Sequence, residues 1–196
     1  MVTGLEKRIG LFGGSFNPAH EGHLYISQVA LKELGLDEVW WLVAPNNPQK
    51  KASSLAPFNE RVEGAKKITL GNPIKVLELE RENNLYFTID TVRFLNNEFP
   101  DNSFVWLMGA DCFRDLHTWK SWQDIMAEIP IAVFPRPGFT TEALSGNAAT
   151  KFKKNRLNAS EAQNLVVTKP AAWVYIDCKE SPFSGTKIRE SAKAKS

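Results

Sequence analysis

The chain has 196 residues, 43% hydrophobic and 23% charged, with 24 Lys+Arg against 22 Asp+Glu for a net charge of +2. That composition is that of an ordinary globular domain, which excludes a disordered tail or a fibrous repeat. The charge is too balanced for bulk electrostatics to drive nucleic-acid or membrane binding. Two cysteines supply no disulfide framework, and no Cys/His cluster has zinc spacing. The opening MVTGLEKRIGLFGG lacks the apolar run of a signal peptide, and nowhere do about 18 apolar residues run together. A reducing, cytoplasmic setting is the expectation.

Along the chain, Arg8 to Phe12 (RIGLF) reads as a buried strand stopped by Gly13 and Gly14. Leu24, Ile26, Val29, Ala30 and Leu34 then recur at helical spacing up to Gly35. Glu38 to Ala44 (EVWWLVA) is a second strand closed by Pro45, and Asn59 to Leu70 a helix. Lys75 to Leu79 and Ser103 to Met108 read as strands, with a helix from Thr88 to Phe99 between them. Pro130 to Phe134 and Trp173 to Cys178 are the last two strands. Continuous apolar strands alternating with helices predict βαβ units and a parallel sheet covered on both faces. Pro45 to Pro57 reads as an exposed loop, and Gly138 to Pro170, polar and weakly periodic, as a helical excursion rather than a separate domain.

The most informative stretch is GGSFNPAHEGH, Gly13 to His23, between a strand and a helix. Glycines at such a turn let the backbone approach a ligand closely. Free N–H groups at the helix start then make a phosphate site. His20 and His23, two of only three histidines, share a helix face and can both point at that phosphate. Imidazole donors there would stabilise charge that builds during transfer. The alternative is a tight turn before an ordinary capped helix. Near the other end stands SPFSGTKIRES, Ser181 to Ser191. Here Ser184 can cap a helix, and Thr186 and Arg189 complete an anion site of hydroxyl, helix N–H and guanidinium suited to a polyphosphate. A plain basic C-terminal helix is the alternative for this segment.

GGSFNPAHEGH is neither GxGxxG nor a P-loop. It resembles the (H/T)xGH signature of the nucleotidyltransferases related to class I aminoacyl-tRNA synthetases, and FSGTKIR resembles their (I)SSTxIR segment, which closes over ATP phosphates. With APNNPQKK, YFTIDT, and GADCFRDLHTW taken together with FPRPG, these make five segments, in order similar to those of the bacterial nicotinate-nucleotide adenylyltransferase family. The resemblance implies a Rossmann-like doubly wound α/β sheet of the nucleotidyltransferase type, in a single domain spanning 1–196. It implies adenylyl transfer from ATP to nicotinate mononucleotide, with Mg²⁺ carried mainly on the ATP phosphates.

Residue by residue, the resemblance assigns Gly13, Gly14, Ser15, Phe16, Gly22, Ser184, Thr186 and Arg189 to ATP, with His20, His23 and Arg189 as the catalytic groups. It assigns Asn46, Lys50 (or Lys51), Thr88, Asp111, Trp119 and Arg136 to the acceptor, and no protein-held metal. For Thr88 and Asp111 the plain alternative is a helix N-cap, for Trp119 a core tryptophan, and for Arg136 a turn residue. The sequence departs from the family pattern at Asn17, where aspartate is common, at Gln49-Lys50-Lys51, where a histidine precedes a basic residue, and at Gly185, where serine is common. The same chemistry on nicotinamide mononucleotide or phosphopantetheine remains open, as does a nucleotide-binding regulator without turnover. RNA binding through Lys151 to Arg156 is disfavoured by the net charge, and a membrane partner by the composition. The sequence leaves oligomeric state open, a homo-oligomer included.

Overall fold

The structure is a computed structural model that describes residues 6–45, 55–180, 185 and 189. In chain order the elements are β1 Arg8–Gly14, α1 Glu21–Glu33, β2 Glu38–Val43, α2 Phe58–Thr69, β3 Ile74–Leu77, α3 Leu79–Glu82, α4 Thr88–Glu98 and β4 Ser103–Gly109. They continue as α5 Ala110–Asp115, α6 Trp122–Glu128, β5 Ile131–Phe134, α7 Thr140–Ser145, α8 Asn147–Lys151, β6 Arg156–Leu157 and β7 Trp173–Tyr175, with 3₁₀ turns between them.

The seven strands form one sheet in the order β3-β2-β1-β4-β5-β7-β6, and every pair is parallel. The α/β doubly wound architecture expected from the apolar runs is what the chain adopts. Because strand side chains alternate between faces, each run feeds two cores. Ile9, Leu11, Trp106, Met108, Ile131 and Val133 pack on one side with Ile89, Val92 and Leu95 of α4 and Phe113 of α5. Phe12, Trp41, Val43, Val105, Leu107 and Phe134 pack on the other with Ile26 and Ala30 of α1 and Val62 and Ala65 of α2.

Sequence and structure differ where elements are short. The strand expected over Lys75 to Leu79 ends at Leu77, and Leu79 opens α3. The last strand stops at Tyr175 rather than Cys178. The stretch from Gly138 to Pro170 does hold helical turns, but it also contributes β6, an edge strand of two residues paired to β7. Two residues carry no periodicity, so only the pairing partner defines that strand. None of the helices among the described residues is long and apolar enough to cross a membrane.

The strand order reverses direction between β1 and β4, the neighbours at the centre of the sheet. At such a switch point the connections leave in opposite directions and open a crevice beyond the carboxyl ends of the strands. Residues 13–23 follow β1, Asp111 follows β4 and Arg136 follows β5. Three of the candidate segments therefore reach one edge of the sheet by topology alone.

Candidate active site

The turn after β1 is tightly fitted. A Cβ at Gly13 would lie 2.8 Å from Cζ2 of the Trp106 ring, so only glycine fits there without displacing a buried indole. Phe16 adopts φ 44, in the left-handed region, with its ring stacked on Trp41 at 4.7 Å and 11°. Among the described residues no acceptor meets the N–H groups of Ser15 or Phe16.

The two histidines are not simply side by side on a helix. His20 is the N-cap of α1: its Nδ1 accepts from the Gly22 N–H at 3.2 Å. His23 closes the reciprocal half of the box, its Nδ1 accepting from the His20 N–H at 3.2 Å. This narrows the expectation of free N–H groups at the start of α1, since Gly22 donates to His20 Nδ1 and His23 N–H donates to His20 O at 2.8 Å. The consequence is chemical. A ring nitrogen that accepts from a backbone N–H carries no proton, so each neutral imidazole holds its hydrogen on Nε2. The capping box thus sets both rings as Nε2–H donors. The rings lie 3.8 Å apart at 34°, and His23 is further held by Phe16 at 5.0 Å and Phe12 at 5.8 Å. Burial, with the positive charge of Arg136 adding to it, holds the His20 imidazole down to about 4.

On the acceptor side, Arg136 Nε lies 3.7 Å from Asp111 Oδ2. Through Arg136, therefore, the histidine group and the Asp111 group are neighbours. Neither Thr88 nor Asp111 is a helix cap: Phe87 caps α4 and Gly109 caps α5, which leaves both polar side chains in the first turn. Trp119 is half-buried and packs against the core on the α4 side of the sheet. Its neighbour Lys120 places Nζ 4.1 Å from the Phe87 ring centroid and 3.9 Å from Asp90 Oδ2. Lys120, which the sequence does not single out, thereby ties the Trp119 segment to the start of α4 where Thr88 sits.

The tail of the chain reaches the turn as well. Arg189 Nη1 donates to the carbonyl of Asn17, 172 positions earlier. Asn17 Oδ1 accepts from the Ala56 N–H at 3.1 Å, so at this position the amide joins the turn to the segment before α2. A Cβ at Gly185 would stand 3.2 Å from both Arg189 Nη1 and Asn17 O, and the missing side chain lets those two groups approach. Phe16, Asn17, Pro18, Ala19, Ala56 and Arg189 border a cavity of ≈ 370 Å³. Asn46, Lys50, Lys51, Ser184 and Thr186 lie outside the described residues.

The turn after β1, the paired imidazoles, Asp111–Arg136 and Arg189 thus gather at the switch point of the sheet. Set beside known proteins, residues 11–191 match the cytidylyltransferase-like family model. A protein of Parvibaculum lavamentivorans named "Probable nicotinate-nucleotide adenylyltransferase" is 45% identical over 183 residues, 93% of this chain and 91% of that one. One of Gluconobacter oxydans with the same name is 43% identical over 95% of each chain. The solved structure described as Plasmodium falciparum nicotinic acid mononucleotide adenylyltransferase complexed with NaAD superposes with a TM-score of 0.69 at 18% identity, covering 94% of this chain and 83% of that one; it shows the shared fold. The chain belongs to the cytidylyltransferase-like family and, within it, to the group of bacterial nicotinate-nucleotide adenylyltransferases.

Proposed function

We propose that the protein transfers the adenylyl group of ATP to nicotinate mononucleotide, forming deamido-NAD and pyrophosphate for NAD biosynthesis in the cytoplasm. The observation that carries this reading is the capping box of α1, which leaves Nε2 of both imidazoles as the donor beside the turn after β1. The identity to relatives named for this activity supports the choice of acceptor.

The acceptor's phosphate is already an anion near neutral pH, so no general base and no covalent enzyme intermediate are needed. Its oxygen attacks the α-phosphorus of ATP, the bond to the bridging oxygen breaks, and pyrophosphate leaves with the electron pair. The protein's work is alignment and charge stabilisation. In this reading Gly13, Gly14, Ser15, Phe16 and Gly22 hold ATP at close range, and the N–H groups of Ser15 and Phe16 meet phosphate oxygens. His20 and His23 donate to the oxygens that gain charge at the transition state. Arg189, with Ser184 and Thr186, holds the triphosphate. Thr88, Asp111, Trp119 and Arg136, with Asn46 and Lys50, hold the nucleotide acceptor. A divalent cation such as Mg²⁺, brought by the nucleotide, would further neutralise the leaving group. The donors gathered here, imidazole, guanidinium and backbone N–H, bind anions, which fits an ion brought by the nucleotide rather than a protein cage.

A pyrophosphate-release assay over nicotinate mononucleotide, nicotinamide mononucleotide and phosphopantetheine tests the reading. Turnover should be highest with the nicotinate acceptor. Release with phosphopantetheine alone, or ATP binding with no release from any acceptor, would overturn it.

A further inference from the structure

Arg61, on α2, carries none of the roles above, yet it is 3% exposed. Its guanidinium donates to four backbone carbonyls: Nε to Ala56 at 3.2 Å, Nη1 to Ser15 at 2.6 Å and Ala44 at 2.9 Å, and Nη2 to Pro45 at 3.1 Å. The guanidinium also lies over the Phe58 ring, 5.2 Å from its centroid. No carboxylate among them pairs with it, and burial alone shifts its titration, downwards. A buried cation without a counter-ion is costly, and one spent wholly on carbonyls of three separate segments is there to hold those segments.

The grip on Ser15 has a directional consequence. In a trans peptide the C=O and the following N–H point in opposite directions. Turning the Ser15 carbonyl onto Arg61 therefore turns the Phe16 N–H to the opposite side. Phe16 is the residue with φ 44, a conformation a phenylalanine rarely adopts, and its N–H meets no acceptor among the described residues. Left to itself the peptide would relax and swing that donor away. The same guanidinium ties the turn to Ala44 and Pro45 at the end of β2 and to Ala56 before α2, the two sides of residues 46–54.

We propose that Arg61 is a positioning residue for the adenylyl donor: by gripping Ser15, Ala44 and Pro45 from behind, it keeps the nucleotide turn pre-formed with the Phe16 N–H turned towards the phosphates. This rests on the reading that ATP binds at that turn. Arginine is required because a lysine ammonium keeps the charge without the planar fork that reaches several carbonyls at once.

The test compares wild type, Arg61→Lys and Arg61→Gln, each assayed well below its own melting temperature and normalised to folded enzyme. Both variants should raise the KM for ATP, and the Kd for a non-hydrolysable ATP analogue, by at least about tenfold, the scale of one lost hydrogen bond to a charged group. The acceptor KM should move by less than about threefold. A mere structural staple would lower the melting temperature and the folded fraction but leave both KM values of the folded enzyme unchanged, and that result overturns the proposal. Should neither variant fold, the wild-type protein still decides: the Phe16 amide resonance should shift on adding the ATP analogue, and an unmoved resonance rejects the role. Wild-type pyrophosphate release reports separately on the adenylyl-transfer reading, whereas the analogue's Kd in wild type and Arg61→Lys bears on Arg61 alone.

Discussion

The double duty of His20 can be split by one substitution. Its Nδ1 accepts from the Gly22 N–H and caps α1, while in the proposed reaction its Nε2–H donates to the phosphates. Asparagine is among the best N-cap residues, and its side-chain oxygen can accept from the same N–H, but it places no donor where Nε2 stands. His20→Asn should therefore keep the cap and lose the donor, whereas His20→Ala loses both. Losing the cap costs about 1 kcal/mol, which in a chain of this length lowers Tm by roughly 2–4 °C. Losing one transition-state donor costs about 10²- to 10³-fold in kcat. The expected pattern is a kcat depressed by that factor in both variants, with His20→Asn melting above His20→Ala by about the value of the cap. Steady-state pyrophosphate release and thermal unfolding monitored by circular dichroism read the two halves independently. A His20→Asn enzyme turning over within threefold of wild type would remove the donor role, and equal melting of the two variants would remove the capping role. The same histidine sets a pH leg of stability. Its folded value, about 4, lies below the ordinary 6.5, so its stabilising contribution is complete above pH 6.5 and is lost as pH falls towards 4; reduced for the partial burial of the ring, this amounts to about 2 kcal/mol. In His20→Asn that leg should disappear.

Two further predictions follow the charges. Glu80, on α3, accepts from Thr91 Oγ1 of α4 at 3.0 Å, and burial pushes its carboxyl up to about 7 against the pull of that hydrogen bond. A raised carboxyl stabilises the fold while protonated, fully below its ordinary 4.5, and that contribution is lost as pH rises through 7. Glu80→Gln, which keeps the acceptor, should match wild type in urea unfolding near pH 4.5 and exceed it by about 3 kcal/mol at pH 8; an equal difference at both pH values would contradict this. Arg136 adds its charge to the burial that holds His20 down, so Arg136→Ala should raise the His20 midpoint in an NMR titration while burial still keeps it below 6.5. An unmoved or lowered midpoint would show that the two groups are not coupled. The same variant should raise the acceptor KM by about tenfold, the scale of a charge-assisted hydrogen bond.

What could be read from the chain alone follows from how far each signal extends along it. The strands from Arg8, Glu38 and Ser103 are runs of apolar residues, and burial on both faces leaves that mark in consecutive positions; the long helices α1, α2 and α4 repeat theirs over three turns or so. The turn GGSFNPAHEGH is contiguous, so its glycines and histidine pair stand in plain view. Arg61 left a fainter trace, a charge set among Phe58, Val62, Ala65 and Thr69 on the inward face of α2, at a position periodicity would give to an apolar side chain. The short helices α5 to α8 and the two-residue β6 have too few residues to repeat anything.

Sequence therefore determined the layers of the fold and the chemical kinds of group at the site, because both are written in neighbouring residues. Tertiary structure decided the order of strands, and with it that β1 and β4 lie side by side and open the crevice. It also decided that Nδ1 of each imidazole is taken by a backbone N–H, that Arg189 closes onto Asn17 from 172 positions away, and that Arg61 turns inward to the carbonyls of the turn. Those outcomes depend on distances and angles of a few tenths of an ångström between segments far apart in the chain, and such contacts are set only when the whole core has packed.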